Sequence, residues 1–255
     1  FIDRAPDEMF RAKYSAMMER SVGLGAMGFH SYLQSKRIPF ESAMARSINM
    51  RMFKHLREQA NRASQVLAAE RGRCPDAKVG PEHVERFSNK MAIAPTASIS
   101  VICGNSSPGI EPYAANSFTQ KTLSGSFTVR NKHLQELIHA KVQAVVDGGE
   151  VPGINKTEDF TVQYDRIWSD ISIHEGSIQH MPMFTEDEKA VFKTAQEIDQ
   201  RWVVEHAADR TPFICQSQSV NLFLAPDVSK RYLSDLHFLA WKRGLKSLYY
   251  VRQTS

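Results

Sequence analysis

Two places in this chain carry residue types whose spacing can do chemistry. The first is MAIAPTASIS, residues 91–100. Pro95 fixes a turn, and Thr96 or Ser98 can cap a helix whose first N–H groups point outward. Such unpaired N–H groups, with the positive end of a helix dipole, suit a phosphate. A plain N-cap without a ligand fits the same residues, and on pattern alone it is the better reading. The second place is Tyr249–Tyr250, near the end of a β-type run. Strand neighbours face opposite sides, so β-propensity and core packing explain the pair most simply. At a strand end or bulge the two rings could instead stack and pass an electron and a proton, because a phenol has a removable proton of pKa about 10.

Other reactive types weigh less. Cys74, Cys103 and Cys215 lie far apart, and no Cys-x-x-Cys is present. A disulfide framework and a cysteine zinc site are therefore not expected, and a reducing cytoplasm fits best. Cys103 is close to the turn, but VIC before GN reads as the end of a core strand, so all three thiols read as structural. Glu111, in GIEP, could pair with Lys121 or orient a site loop; a local hydrogen-bond anchor for a tight turn is the simpler role. Lys121 is more simply solvated than functional. His174 and His180 flank a Gly-Ser turn without a carboxylate at ligand spacing, so no metal is expected.

These residues need a scaffold. The chain has 255 residues, 42% hydrophobic and 24% charged, with a net charge of +4. That suffices for one domain, residues 1–255, with a substantial core. Lys and Arg are dispersed, so no nucleic-acid face is expected. No apolar run approaches the ~20 residues that span a bilayer. FIDRAPDEMF is not a signal peptide and lacks an initiator Met, so a trimmed, processed or incomplete chain is expected.

Pro6 suits a helix start leading to Glu19. SVGLGAMGFHSYLQSK has apolar residues at helical spacing and glycines that permit close helix packing. A long helix is expected from Glu41 to Glu70, with Met44, Ile48, Met52, His55 and Leu56 along one side and Gly72 as the stop. Residues 91–127 read as strand ends joined to ordered loops. Asn131 caps a helix to Asp147, ended by Gly148 and Gly149. Thr185 and Glu188 form a capping box for a helix running to Asp209. PFICQSQSVNLFL reads as a strand with loop character, and a helix over Tyr232–Lys242 leads into LKSLYYV, a buried terminal strand. Helices alternating with short strands indicate an α/β protein.

Five blocks stand in an order that resembles the large, catalytic subunit of class I ribonucleotide reductases. They are SVGLGAMGF, APTASISVICGNSSPGIEP with NSFTQKTLSGSF, EGSIQHMP, AADRTPFICQSQSVNLF and FLAWKRGLKSLYYVR. The resemblance covers nearly the whole chain. It implies a helix-rich α/β fold, the C-terminal part of a ten-stranded α/β barrel. It implies reduction of ribonucleotides to 2′-deoxyribonucleotides, for DNA synthesis and replication, by a protein thiyl radical. The turn would bind the substrate phosphate through Thr96, Ala97, Ser98 and Ile99, with Ala97 and Ile99 giving backbone only. Tyr249 and Tyr250 would relay the radical, which also points to class I.

The departures bear on what this chain does alone. No Asn-x-Cys-x-Glu segment for the thiyl radical occurs in it. The resemblance places the reacting cysteines and the ATP and deoxynucleotide effector sites on an N-terminal portion, without an ATP-cone domain or a redox-active C-terminal tail here. No cofactor is expected to bind this chain directly. A metal-containing small subunit would supply the radical, and thioredoxin or glutaredoxin would reduce the holoenzyme. The chain would thus be inactive without its N-terminal half and the small subunit. The alternative is a catalytically inactive nucleotide-phosphate-binding or interaction module of the same fold. Neither a nucleic acid nor a membrane is expected as a partner.

Overall fold

A computed structural model describes residues 2–77, 84–122 and 125–253. Leu123 and Ser124, inside the NSFTQKTLSGSF block, lie outside the described residues. Helices dominate. Two short 3-10 turns precede α1 (Phe10–Glu19), followed by α2 (Phe29–Ser35), α3 (Ala43–Arg71) and α4 (Ala97–Ile102). A hairpin of β1 (Ser117–Thr122) and β2 (Gly125–Arg130) leads to α5 (Lys132–Val146), α6 (Phe160–Ile173), α7 (Glu186–Val191) and α8 (Gln200–Arg210). Then come β3 (Leu222–Leu224), α9 (Lys230–Lys242) and β4 (Val251–Gln253). β1 and β2 pair antiparallel, and β3 and β4 pair parallel, Leu222 opposite Val251. Among the described residues no closed barrel forms.

Several elements start where local chemistry dictates. The Ser42 side chain accepts the Ala45 N–H at 3.1 Å and opens α3, and Asn131 accepts from His133 to open α5. Thr185 and Glu188 cap α7 reciprocally. Each such cap satisfies an orphan N–H and stabilises the helix by about 1 kcal/mol. Gly72 follows α3 at φ 82, a backbone that favours glycine.

Four expectations change. The helix expected over 185–209 breaks after Val191. There the Thr194 N–H turns to the Glu197 carboxylate, and the Asp199 N–H to the carboxylate of distant Glu41 at 2.6 Å. Asp199 then caps α8. The buried side of α3 is rotated: Ala45, Asn49 and Phe53 are fully buried, while Met44 and His55 are exposed. The SVGLGAMG stretch is extended before α2. Leu24 bridges Met91 in parallel, and a Cβ on Gly25 would lie 2.4 Å from the Ala92 carbonyl oxygen. Its glycines admit a neighbouring strand, not a neighbouring helix. The terminal segment pairs with β3 but is not buried: Tyr249 is 53% and Tyr250 51% exposed.

The core has two parts. In one, Phe29, Leu33, Phe40, Phe53, Met91, Ile93, Val204 and Leu222 join α2, α3, α8 and β3. In the other, Leu134, Ile138 and Val142 of α5 face Ile167, Trp168 and Ile171 of α6. A polar network pins α3 to α8: the buried Arg210 guanidinium donates to Asn49 Oδ1 and Gln218 Oε1, and Asn49 donates to the His206 carbonyl. Burial lowers the Arg210 pKa to about 9.

Candidate functional site

The extended segment 91–93 is clamped on both sides. It bridges Leu24 on one side and Gln218 on the other, and from this rail the chain enters α4. Thr96 stands at the N-cap with φ 52 and ψ 28. A β-branched residue in this left-handed region is strained by about 1–3 kcal/mol. Its hydroxyl does not cap the helix as the sequence suggests; Thr96 Oγ1 accepts the Gly109 N–H at 2.7 Å. Ser100 Oγ turns back to the Ala97 carbonyl. Ala97, Ser98 and Ile99 are exposed, and among the described residues no acceptor takes their N–H groups. The opening of α4 therefore presents three donors and the Ser98 hydroxyl to solvent.

Gly109 has φ 48, and a Cβ there would lie 2.9 Å from the Ala94 carbonyl oxygen. Only glycine lets the 108–111 turn pack onto the phosphate-type turn. Two residues on, buried Glu111 accepts from Asn221 Nδ2 at 2.5 Å. The other face of that amide, Asn221 Oδ1, accepts the Tyr250 N–H at 3.0 Å. Burial raises the Glu111 pKa to about 7, against the opposing pull of Arg252 and the Asn221 hydrogen bond. The simple local-turn role is thus too small for Glu111, and Lys121 is not its partner. It links the loop that holds Thr96 to the segment that carries the tyrosines.

Tyr249 and Tyr250 precede β4. The Tyr249 N–H reaches the Val220 carbonyl, and the Tyr250 carbonyl accepts from Leu222. This start of a strand is where the alternation of faces is relaxed, and the rings lie side by side, centroids 4.2 Å apart at 55°. Hydrogen bonding to the Tyr250 phenol raises the Tyr249 pKa. The Arg252 guanidinium sits 5.3 Å from the Tyr250 ring centroid. Asn221 and Arg252 escape sequence reasoning. Their one signal is an amide inside an otherwise apolar VNLFL run.

The thiols also resolve. Cys74 is buried and donates to the Met18 and Glu19 carbonyls. Cys215 Sγ accepts the Lys90 and Met91 N–H groups, fixing the 91–93 rail. Cys103 is exposed just beyond α4 rather than at the end of a core strand. His174 and His180 do have a carboxylate partner, Asp170, one helical turn before His174.

The ribonucleotide reductase barrel-domain model matches residues 1–82 and 77–251. The large subunit of ribonucleoside-diphosphate reductase from Invertebrate iridescent virus 6 is 46% identical over 99% of this chain, which covers 24% of that protein. The putative large subunit from Frog virus 3 is 36% identical over 99% of the chain and 41% of its own length. The structure of the Actinobacillus ureae class Id ribonucleotide reductase alpha subunit superposes over the whole chain with a TM-score of 0.83 at 34% identity, and 43% of that protein is covered. The chain thus spans less than half the length of these relatives. Together these matches show that it belongs to the ribonucleotide reductase barrel-domain family.

Proposed function

We propose that this chain is the substrate-phosphate and radical-entry part of a ribonucleoside-diphosphate reductase large subunit. The observation that carries the reading is the linkage of two features. The exposed donors at Ala97–Ile99 and the paired rings of Tyr249 and Tyr250 hang on one hydrogen-bonded path, Thr96–Gly109 and Glu111–Asn221–Tyr250. The ribonucleotide phosphate is held by the N–H groups of Ala97, Ser98 and Ile99 and the hydroxyl of Ser98. The Thr96 hydroxyl accepts the Gly109 N–H and keeps its own proton to donate toward the phosphate. The strain stored at Thr96 aims those N–H groups outward.

Each relay step is the loss of one electron and one proton from a phenol, refilled by the neighbouring phenol. Rings 4.2 Å apart suit such an exchange. The rest of the large subunit supplies the thiyl cysteine and the nucleotide effector sites, and a metal-containing small subunit supplies the radical. Thioredoxin or glutaredoxin renews the reducing equivalents, in the cytoplasm. The exposed Tyr249, Tyr250 and Val251 support a docking face at the radical entry. No helix among the described residues is long and apolar enough to cross a membrane.

The test is turnover by the large subunit carrying Tyr249→Phe or Tyr250→Phe, mixed with its small subunit. Phe keeps the ring contact but has no phenolic proton. Loss of turnover with substrate binding retained is expected; unchanged turnover in both variants removes the relay.

A further inference from the structure

The second core half carries a cluster that the reductase reading does not use. Asp170 lies between two imidazoles: His174 Nδ1 is 3.1 Å from Oδ1, and His180 Nε2 is 3.0 Å from Oδ2. The three ligand atoms lie within 4.8 Å of one another. The two rings stack at 3.8 Å with 29° between planes.

The backbone that sets this up is rigid. Asp170 and His174 are four apart at the end of α6, so they share a face. The chain then reverses through Glu175 at φ 54 and Gly176 at φ 83. Gly176 is packed so tightly that a Cβ would meet Ala115 Cβ at 2.6 Å. Its carbonyl accepts from Asn116 Nδ2 at 3.0 Å. Ile178 and Met181, on either side of His180, are both buried. The core therefore fixes three Cα positions, while the side chains of Asp170, His174 and His180 stay 41%, 47% and 35% exposed.

We propose that Asp170, His174 and His180 form a binding site for a divalent transition-metal ion of the zinc class. Two imidazole nitrogens and one carboxylate oxygen are a borderline donor set that suits zinc better than magnesium or calcium, which take oxygen. Three protein ligands leave a fourth position for water. Without an ion, one carboxylate serves two stacked rings. A dication would draw on the nitrogen lone pairs and the carboxylate oxygen together. The rings swing apart from their stack to reach it, a movement that half-exposed side chains allow. His174 Nδ1 also gives up a 2.9 Å contact with the Asp170 carbonyl oxygen. Once bound, the ion ties the 174–180 turn to α6. This proposal is independent of the reductase reading.

The test titrates Zn2+, and Co2+ as a coloured probe, into the full chain by calorimetry and visible absorption. Wild type is compared with Asp170→Asn, His180→Ala and, as a control, His237→Ala, whose ring is exposed on α9. One equivalent of ion is expected to bind wild type and the control alike. Affinity falls ten-fold or more in Asp170→Asn and His180→Ala, and the Co2+ ligand-field bands weaken with it. Absence of binding to wild type, or equal binding by all four chains, overturns the proposal. Should His180→Ala fail to fold, the near-isosteric Asp170→Asn decides alone.

Discussion

Glu111→Gln separates two views of the residue that joins the turn to the tyrosines. Burial lifts the carboxyl from its ordinary 4.5 to about 7. Ionising it in the fold therefore costs about 3 kcal/mol more than ionising it in the unfolded chain. The sign follows from a raised acid pKa: the neutral form favours folding, and that advantage is lost as pH rises from 4.5 through 7. At pH 8 nearly all of the ~3 kcal/mol is felt, and at pH 5 less than about 1 kcal/mol. Gln keeps an oxygen to accept from Asn221 and never ionises. The variant should therefore exceed wild type by about 3 kcal/mol at pH 8, roughly 6–12 °C in Tm, with little gain at pH 5. Thermal melts of both chains at the two pH values measure this. A variant less stable than wild type at pH 8 would refute the reasoning. It would mean that Glu111 is a carboxylate held by the Arg252 charge.

Two further outcomes concern the scaffold. Burial, the largest cause, lowers His30 to about 3 and His206 to about 4. Both folded values lie below the unfolded 6.5, so the stability from keeping these rings neutral is complete above pH 6.5 and lost as pH falls toward 3–4. Between pH 7 and 5 each ring loses about 2 kcal/mol. Urea midpoints in the Glu111→Gln background, free of the opposite drift of that carboxyl, should fall accordingly, and a flat profile would contradict neutral burial. Gly25→Ala drives a Cβ to 2.4 Å from a backbone oxygen, which no rotamer relieves. A loss of about 1–3 kcal/mol in urea unfolding is expected, and a neutral result would show that the 24–91 bridge is loose.

Sequence reading succeeds where one turn of chain holds the whole cause. Asn131 and Thr185 cap helices because donor and acceptor are two or three residues apart. It fails where the partner is distant. The helix break before Asp199 is set by Glu41, 158 residues away. The extended run over Gly23 and Gly25 exists because the 91–93 rail lies beside it. The site divides the same way. On their residues alone the turn and the tyrosines read more simply as an N-cap and core packing, and only the family resemblance singles them out, whereas the Glu111–Asn221–Tyr250 path needs three segments brought together. Sequence reading finds no carboxylate for His174 and His180: it passes over Asp170, four residues before His174, and only the fold brings His180 to it.

If a nucleotide phosphate docks on the opening of α4, a negative charge placed there by Ser98→Asp must weaken its binding. A carboxylate in the first turn of a helix is compatible with folding, so the melting temperature should hold. The same charge opposes a phosphate. Titrating a ribonucleoside diphosphate into the large subunit carrying Ser98→Asp should show affinity reduced ten-fold or more relative to wild type. Unchanged affinity in a folded variant would place the phosphate elsewhere and rule out the opening of α4 as its dock.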